Sequence, residues 1–304
     1  MHRSGTSFCV RTLQQYGVSV PTNLLPAAND NPDGFLEPAE LVNLNERLLH
    51  AEGALWDASW PLSSAEPTRL RDNVGGELQV LLEQWCSNTK PQVQPESSNQ
   101  LLALKDPRLC RTFPLIAPYL DSGTFWHGLA VIRNPNAVIA SLLERNQDDM
   151  SPLKGLALWM RYNLDMVKSR HLKPDINQWP IIQFEALIHN PSNTLNPILQ
   201  QWQNTGFNVN YQPNDALICR PAKERVNYLE SLPDQWVQLA QTFHSSLQQS
   251  TTLGDIPNTL IQTVEHWLEH TPDLTHQLLA QEATRRAHLG EALSAERKFS
   301  WRNL

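Results

Sequence analysis

Apolar residues recur along this chain with two different periods. A spacing of three to four, the mark of an amphipathic helix, runs through residues 8–15, 38–52, 68–86, 108–120, 135–145 and 152–170. It resumes after residue 184 and continues to about residue 202. Between these stretches lie three short continuous apolar runs, 101–105, 126–132 and 180–184, which read as buried strands. Pro135 suits the first turn of its helix, where a backbone N–H is not needed. Residues 28–34 and the linker 89–98, with its two prolines, are polar and read as loops. Strands alternating with helices predict an α/β domain over residues 1–250, with a central parallel sheet covered on both faces. From residue 251 the pattern changes. Residues 257–270 and 272–297 are helical with no strand between them, and 251–304 forms a C-terminal helical extension. Its last stretch, rich in Ala, Gln, Glu and Arg, reads either as a packing helix or as the start of a coiled coil through which copies of the chain self-associate.

Composition narrows the picture. At 304 residues and 40% hydrophobic, the chain can bury a sizeable core. The formal net charge of −7 removes the global positive field that a nucleic-acid binder uses, so a polyanionic ligand must be held by a local cluster of cations. The four cysteines, Cys9, Cys86, Cys110 and Cys219, are far apart and form no CxxC pair. This argues against a zinc site or disulfide framework and for reduced thiols in a cytoplasmic setting. No apolar run approaches the roughly 18 residues of a membrane span.

Candidate chemistry begins at His2-Arg3-Ser4-Gly5-Thr6-Ser7, immediately before a helix. Exposed N–H groups and the positive end of a helix dipole stabilise phosphate there. Gly5 lets the backbone approach, Thr6 and Ser7 supply hydroxyls, and Arg3 adds a fixed two-pronged charge. By itself the hexapeptide fits an ordinary helix cap equally well. It departs from the ATPase loop GxxxxGK[ST], because Thr6 stands where the lysine belongs. Aligning Gly5 with that loop's second glycine leaves no place for the first glycine or for the strand that leads in. The expectation is a sheet whose first strand is missing, with Met1 an internal methionine of a longer reading frame.

The run from Ala130 to Ser141 is the second basic element. Arg133 ends a buried strand, which is where open α/β sheets bind ligands. Ser141 and Arg145 follow at intervals of about two and three helical turns, so the three side chains can converge on one anion. The plainer reading is a strand-end arginine in a surface ion pair.

These elements together resemble the P-loop-type sulfotransferases that use 3′-phosphoadenosine 5′-phosphosulfate, in the version seen in tyrosylprotein sulfotransferases. His2–Ser7 looks like their 5′-phosphosulfate loop, and Arg133 and Ser141 match their 3′-phosphate pair in type and spacing. Leu104-Lys105-Asp106-Pro107-Arg108 resembles a Lys-Asp-Pro segment of the same subgroup. Trp159…Tyr162-Asn163 and Phe184-Glu185-Ala186-Leu187…Pro191 resemble later landmarks, over roughly residues 1–243. The resemblance implies a P-loop NTPase-like three-layer sandwich, sulfuryl transfer to a hydroxylated acceptor, and no metal. It implies that Arg3, Ser4, Gly5, Thr6, Ser7, Arg133 and Ser141 hold the nucleotide, and the helical spacing adds Arg145 to that set. Phe184, in place of the usual tyrosine, would stack on adenine, and Lys105 with Arg3 would stabilise the transferring group. Glu37, in Gly34-Phe35-Leu36-Glu37-Pro38, loosely matches the segment that supplies the general base. His127 and Asp106 are reserve candidates, and Glu37 also reads as a helix-N-terminal glutamate. Lys223, with Arg220 and Arg225, would fold over the nucleotide or simply form a solvated helix face. Two other readings stay open: a P-loop kinase or NTPase with Asp106 as its magnesium aspartate, and a non-catalytic scaffold.

Overall fold

The computed structural model describes residues 1–28, 31–62, 69–88, 101–120, 126–146, 149–173, 176, 178–204, 226–271 and 278. It is mixed α/β, mostly helical, with a small parallel sheet of two strands among the described residues. Strand β1 (Ala130–Ile132) pairs with β2 (Ile181–Gln183) in the register Ala130↔Ile181. Ten α-helices are described: α1 (Thr6–Gln15), α2 (Ala39–Ala51), α3 (Arg69–Asn88), α4 (Leu109–Ile116), α5 (Pro135–Arg145), α6 (Pro152–Lys168), α7 (Phe184–His189), α8 (Pro191–Gln203), α9 (Asp234–Gln249) and α10 (Asn258–His270).

Successive strand side chains point to opposite faces, and helices cover both. Val131 and Ile182 pack with Cys9 and Leu13 of α1 and with Leu195, Leu199 and Trp202 of α8. Ala130 and Ile132 pack on the other side with α5, α6 and α9, through Ile139, Leu142, Leu158 and Phe243. Helix α6 is the hub of that side. Every residue from Leu153 to Leu164 is buried, and α4, α5 and α10 all lie against it. The close approach of α5 needs a small residue, because a Cβ on Gly155 would stand 3.2 Å from Ile139 Cγ1.

Local chemistry sets the helix ends. Asn134 caps α5 by accepting from the Ala137 N–H, and Ser151 caps α6 by accepting from the Lys154 N–H. Each helix has proline at its first position. The helix expected over 108–120 is shorter: α4 stops at Ile116 and a 3-10 turn, Ala117–Tyr119, follows. Pro114 and Pro118 remove the donors that a continuous helix would need.

The strands are also shorter than expected, and residues 101–105 form none. Leu102 makes only an isolated parallel bridge with Ser19, through Ser19 N–H to Leu101 C=O (2.9 Å) and Ala103 N–H to Ser19 C=O (2.8 Å). Pro21 stands where the next donor of that ladder would be, so the pairing stops. Residues 126–129 run ahead of β1 without a ladder. Helix α9 goes beyond the sequence reading, and α10 joins it and α6 in one core through Ile261, Val264 and Trp267. The stretch 272–297, apart from Leu278, lies outside the described residues. No helix among the described residues is long and apolar enough to cross a membrane.

Candidate anion site and its buried ion pair

Gly5 is the N-cap of α1 and has φ +82°, a left-handed conformation that costs glycine nothing. The ring of Phe184, at the start of α7, lies directly against it, and a Cβ at Gly5 would meet Phe184 Cδ2 at 2.0 Å. Arg3 is also left-handed (φ +63°), and its side chain reaches α5. There its Nε donates to Ser141 Oγ at 2.7 Å. Arg133, leaving the end of β1, donates to the Arg3 carbonyl at 2.8 Å and stacks its guanidinium 4.6 Å from the centre of the Phe184 ring. The turn at Gly5 and the Arg133–Ser141 segment, 138 positions apart at Arg3 and Ser141, are therefore in direct contact.

Ser141 and Arg133 meet the loop as expected. Arg145 stands at the edge of the loop, where its guanidinium covers the ring of Trp56 at 4.9 Å and Trp56 packs on His2. Phe184 is buried between Gly5, Phe8 and Arg133, a packing role that differs from an open stacking face for adenine. Ser4 is buried, while Thr6 and Ser7 are half-buried at the first turn of α1. Lys223, Arg220 and Arg225 lie outside the described residues.

A second cluster begins one residue into that turn. Ser7 Oγ donates to the Phe35 carbonyl (2.8 Å), and Lys105 Nζ reaches Ser7 Oγ (3.1 Å), the Phe35 carbonyl (3.0 Å) and Glu37 Oε1 (2.5 Å). The bend at Gly34 and Leu36, both with positive φ, and the bridge of Leu24 with Pro38 bring Glu37 to this position just ahead of α2. The Lys105 and Glu37 side chains are 9% and 6% exposed. Burial pushes the Glu37 carboxyl above its ordinary range, against the opposing pull of Lys105, and pushes the Lys105 ammonium below its own. Burial thus opposes the charged form of each group, and the contact between them supports it.

Arg108 closes the cluster from behind and was not among the sequence candidates, although it sits inside the quoted Lys-Asp-Pro segment. It bonds Asp106 (3.0 Å) and Glu46 (2.9 Å) and stands 3.7 Å from Glu37. The other Asp106 oxygen accepts from Asn45 Nδ2 at 2.8 Å, and Thr112 donates in turn to Asn45. Asp106 is therefore a buried strut of the site. Its signal was an aspartate two residues before an arginine, which geometry alone could pair with an asparagine on α2.

His2 is missed in another way. It packs edge-on against Trp56 and Tyr162, is buried, and its Nε2 has no partner among the described residues. Burial, reinforced by Arg108 and Arg145, holds it well below the usual imidazole range and therefore neutral. His127 packs on Trp202 in the cluster under α8, ahead of β1 and away from the strand end that carries Arg133. It is not placed to act with Lys105. Trp159 is fully buried and donates its Nε1–H to the Arg133 carbonyl, so it orients the strand end and lines no cleft.

No family model, no curated protein and no solved structure matches this chain.

Proposed function

We propose that this protein binds 3′-phosphoadenosine 5′-phosphosulfate and transfers its sulfuryl group to an acceptor hydroxyl, on a P-loop-type α/β scaffold. One observation carries the reading: the Gly5 loop, Arg133 and Ser141 touch one another, with the Lys105–Glu37 pair at the adjacent Ser7. A nucleotide with phosphate at both its 3′ and 5′ ends needs two cationic positions at a short fixed distance. The α1 N–H groups with Lys105 on one side, and Arg3, Arg133 and Ser141 on the other, fit that demand.

In such a transfer the acceptor oxygen attacks sulfur, the bond from sulfur to the bridging phosphate oxygen breaks, and the hydroxyl proton must be taken up. Charge spreads over peripheral oxygens as in phosphoryl transfer, so positioning and electrostatics dominate. Lys105 is suited to meet the bridging oxygen, because its ammonium already lies beside Ser7 at the head of α1. Drawing Lys105 toward that oxygen loosens its hold on Glu37. Glu37, already raised by burial, then gains proton affinity at the moment a base is required. The acceptor class that suits this reading is a carbohydrate or other small hydroxylated compound.

The kinase or NTPase reading is weaker on a specific ground. Both Asp106 oxygens are engaged, one by Arg108 and one by Asn45, so that carboxylate is not presented to a magnesium ion. The deciding experiment is a thermal-shift panel with 3′-phosphoadenosine 5′-phosphate, ATP and AMP, with and without magnesium. Preferential stabilisation by the first without metal supports the proposal; magnesium-dependent stabilisation by ATP overturns it.

A further inference from the structure

The segment from Trp56 to Trp60 has almost no regular structure, yet it is tied down along its whole length by helices α4 and α6. The Trp56 carbonyl accepts from the Tyr162 hydroxyl (2.5 Å). The Ala58 and Trp60 carbonyls accept from the Arg111 guanidinium, and the Ser59 carbonyl accepts from Arg161 Nε (2.8 Å). Between them, Asp57 pairs with Lys154 at 2.7 Å. Arg111 and Arg161 are 2% and 0% exposed, and burying two guanidinium groups is costly unless every donor is used. Here three bonds fix the main chain of the loop, and others go to Asp165 and Glu269.

What the clamped loop presents is apolar. Trp60 is 42% exposed and Leu55 39% exposed, although tryptophan is ordinarily well covered. The inner end of the same loop lies at the candidate site, with Trp56 against His2 and under Arg145. The cations beneath are matched by Asp57, Asp165 and carbonyl oxygens, so the loop offers an exposed ring on a fixed main chain, without net charge.

We infer that Trp60 is a stacking platform for a neutral saccharide ring. A pyranose has a C–H face that lies flat on an aromatic ring, while its hydroxyls stay at the wet rim. A main chain fixed in advance removes the backbone part of the ordering cost that weakens binding to mobile loops. That this ring belongs to the acceptor rests on the transfer reading above; the contact itself does not.

The test uses the full chain labelled with 5-fluorotryptophan. The Trp60 line among the ten tryptophan resonances is identified as the one missing from Trp60→Phe. Cellotetraose and chitotetraose are titrated to millimolar concentration, with p-nitrophenol and a tyrosine peptide in parallel arms. The expected result is a saturable shift of the Trp60 line with a tetrasaccharide. Trp60→Ala should weaken that binding about tenfold or more by calorimetry, while affinity for 3′-phosphoadenosine 5′-phosphate stays within about twofold. A Trp60 line that no saccharide moves, or that only the phenolic probes move, overturns the inference. Saccharide binding without any binding of 3′-phosphoadenosine 5′-phosphate would leave the platform standing and remove the sulfotransferase reading. The reverse pattern would do the opposite.

Discussion

Replacing Gly5 by alanine perturbs the point where the loop, α7 and Arg133 meet, and its cost divides into two parts. The first is backbone. At φ +82° an alanine is held in the left-handed region, at about 1–2 kcal/mol. The second is steric. The new Cβ would lie 2.0 Å and 2.2 Å from Phe184 Cδ2 and Cε2, so the ring must move. Overpacking of this kind costs about 1–3 kcal/mol. The sum predicts a destabilisation of about 2–5 kcal/mol. Phe184→Ala alone should cost about 3–5 kcal/mol, because a buried ring packed on Phe8 and Arg133 is lost. In that background the steric part disappears, and Gly5→Ala should cost only the backbone part. Equilibrium urea unfolding of the four proteins, followed by circular dichroism, measures the coupling, expected at about 1–3 kcal/mol. Additivity within about 0.5 kcal/mol would refute the claim that Phe184 is what demands glycine at position 5.

Three further outcomes follow from the same site. Glu37→Gln should destabilise by about 3–5 kcal/mol by leaving the Lys105 charge buried without its partner. Glu37→Leu combined with Lys105→Met should restore or exceed wild-type stability while abolishing transfer, and urea midpoints with a sulfuryl-transfer assay check both. His2 is held neutral in the fold but binds a proton when unfolded below about pH 6.5, so stability should fall as pH drops. Its share is about 1 kcal/mol between pH 6.5 and 5.5, and it should vanish from the urea midpoints of His2→Phe. His127 and His244, also lowered by burial, act with the same sign, so a residual slope is expected. Arg133→Ala should weaken binding of 3′-phosphoadenosine 5′-phosphate by about 2–5 kcal/mol, and unchanged affinity in calorimetry would remove Arg133 from the site.

The helices were the legible part of the fold. The apolar spacing over 135–145 and 152–170 matches α5 and α6 nearly residue for residue, because Pro135 and Pro152 start them and Asn134 and Ser151 cap them locally. The strands were less legible. An apolar run states that a segment is buried but not how many partners it pairs with. Residues 101–105 are such a run, and their pairing ends at Pro21, some eighty positions earlier in the chain. The same limit applied to Phe184 and Arg145. Their residue types do not state their neighbours, which the fold supplies: Gly5 for the Phe184 ring and Trp56 for the Arg145 guanidinium.

By itself the sequence determined what nearest neighbours control: where helices begin, and which short segments carry cationic and hydroxyl side chains. These depend on caps, propensity and charge within a few residues. Only the tertiary structure decided that Arg3 reaches Ser141, that Lys105 and Glu37 form a buried pair, and that Arg108 and Asn45 occupy both oxygens of Asp106. Those contacts join residues 61 to 138 positions apart, or complete pairs that do. Burial then sets their proton affinities, and burial is a property of the packed core, not of any local stretch of chain.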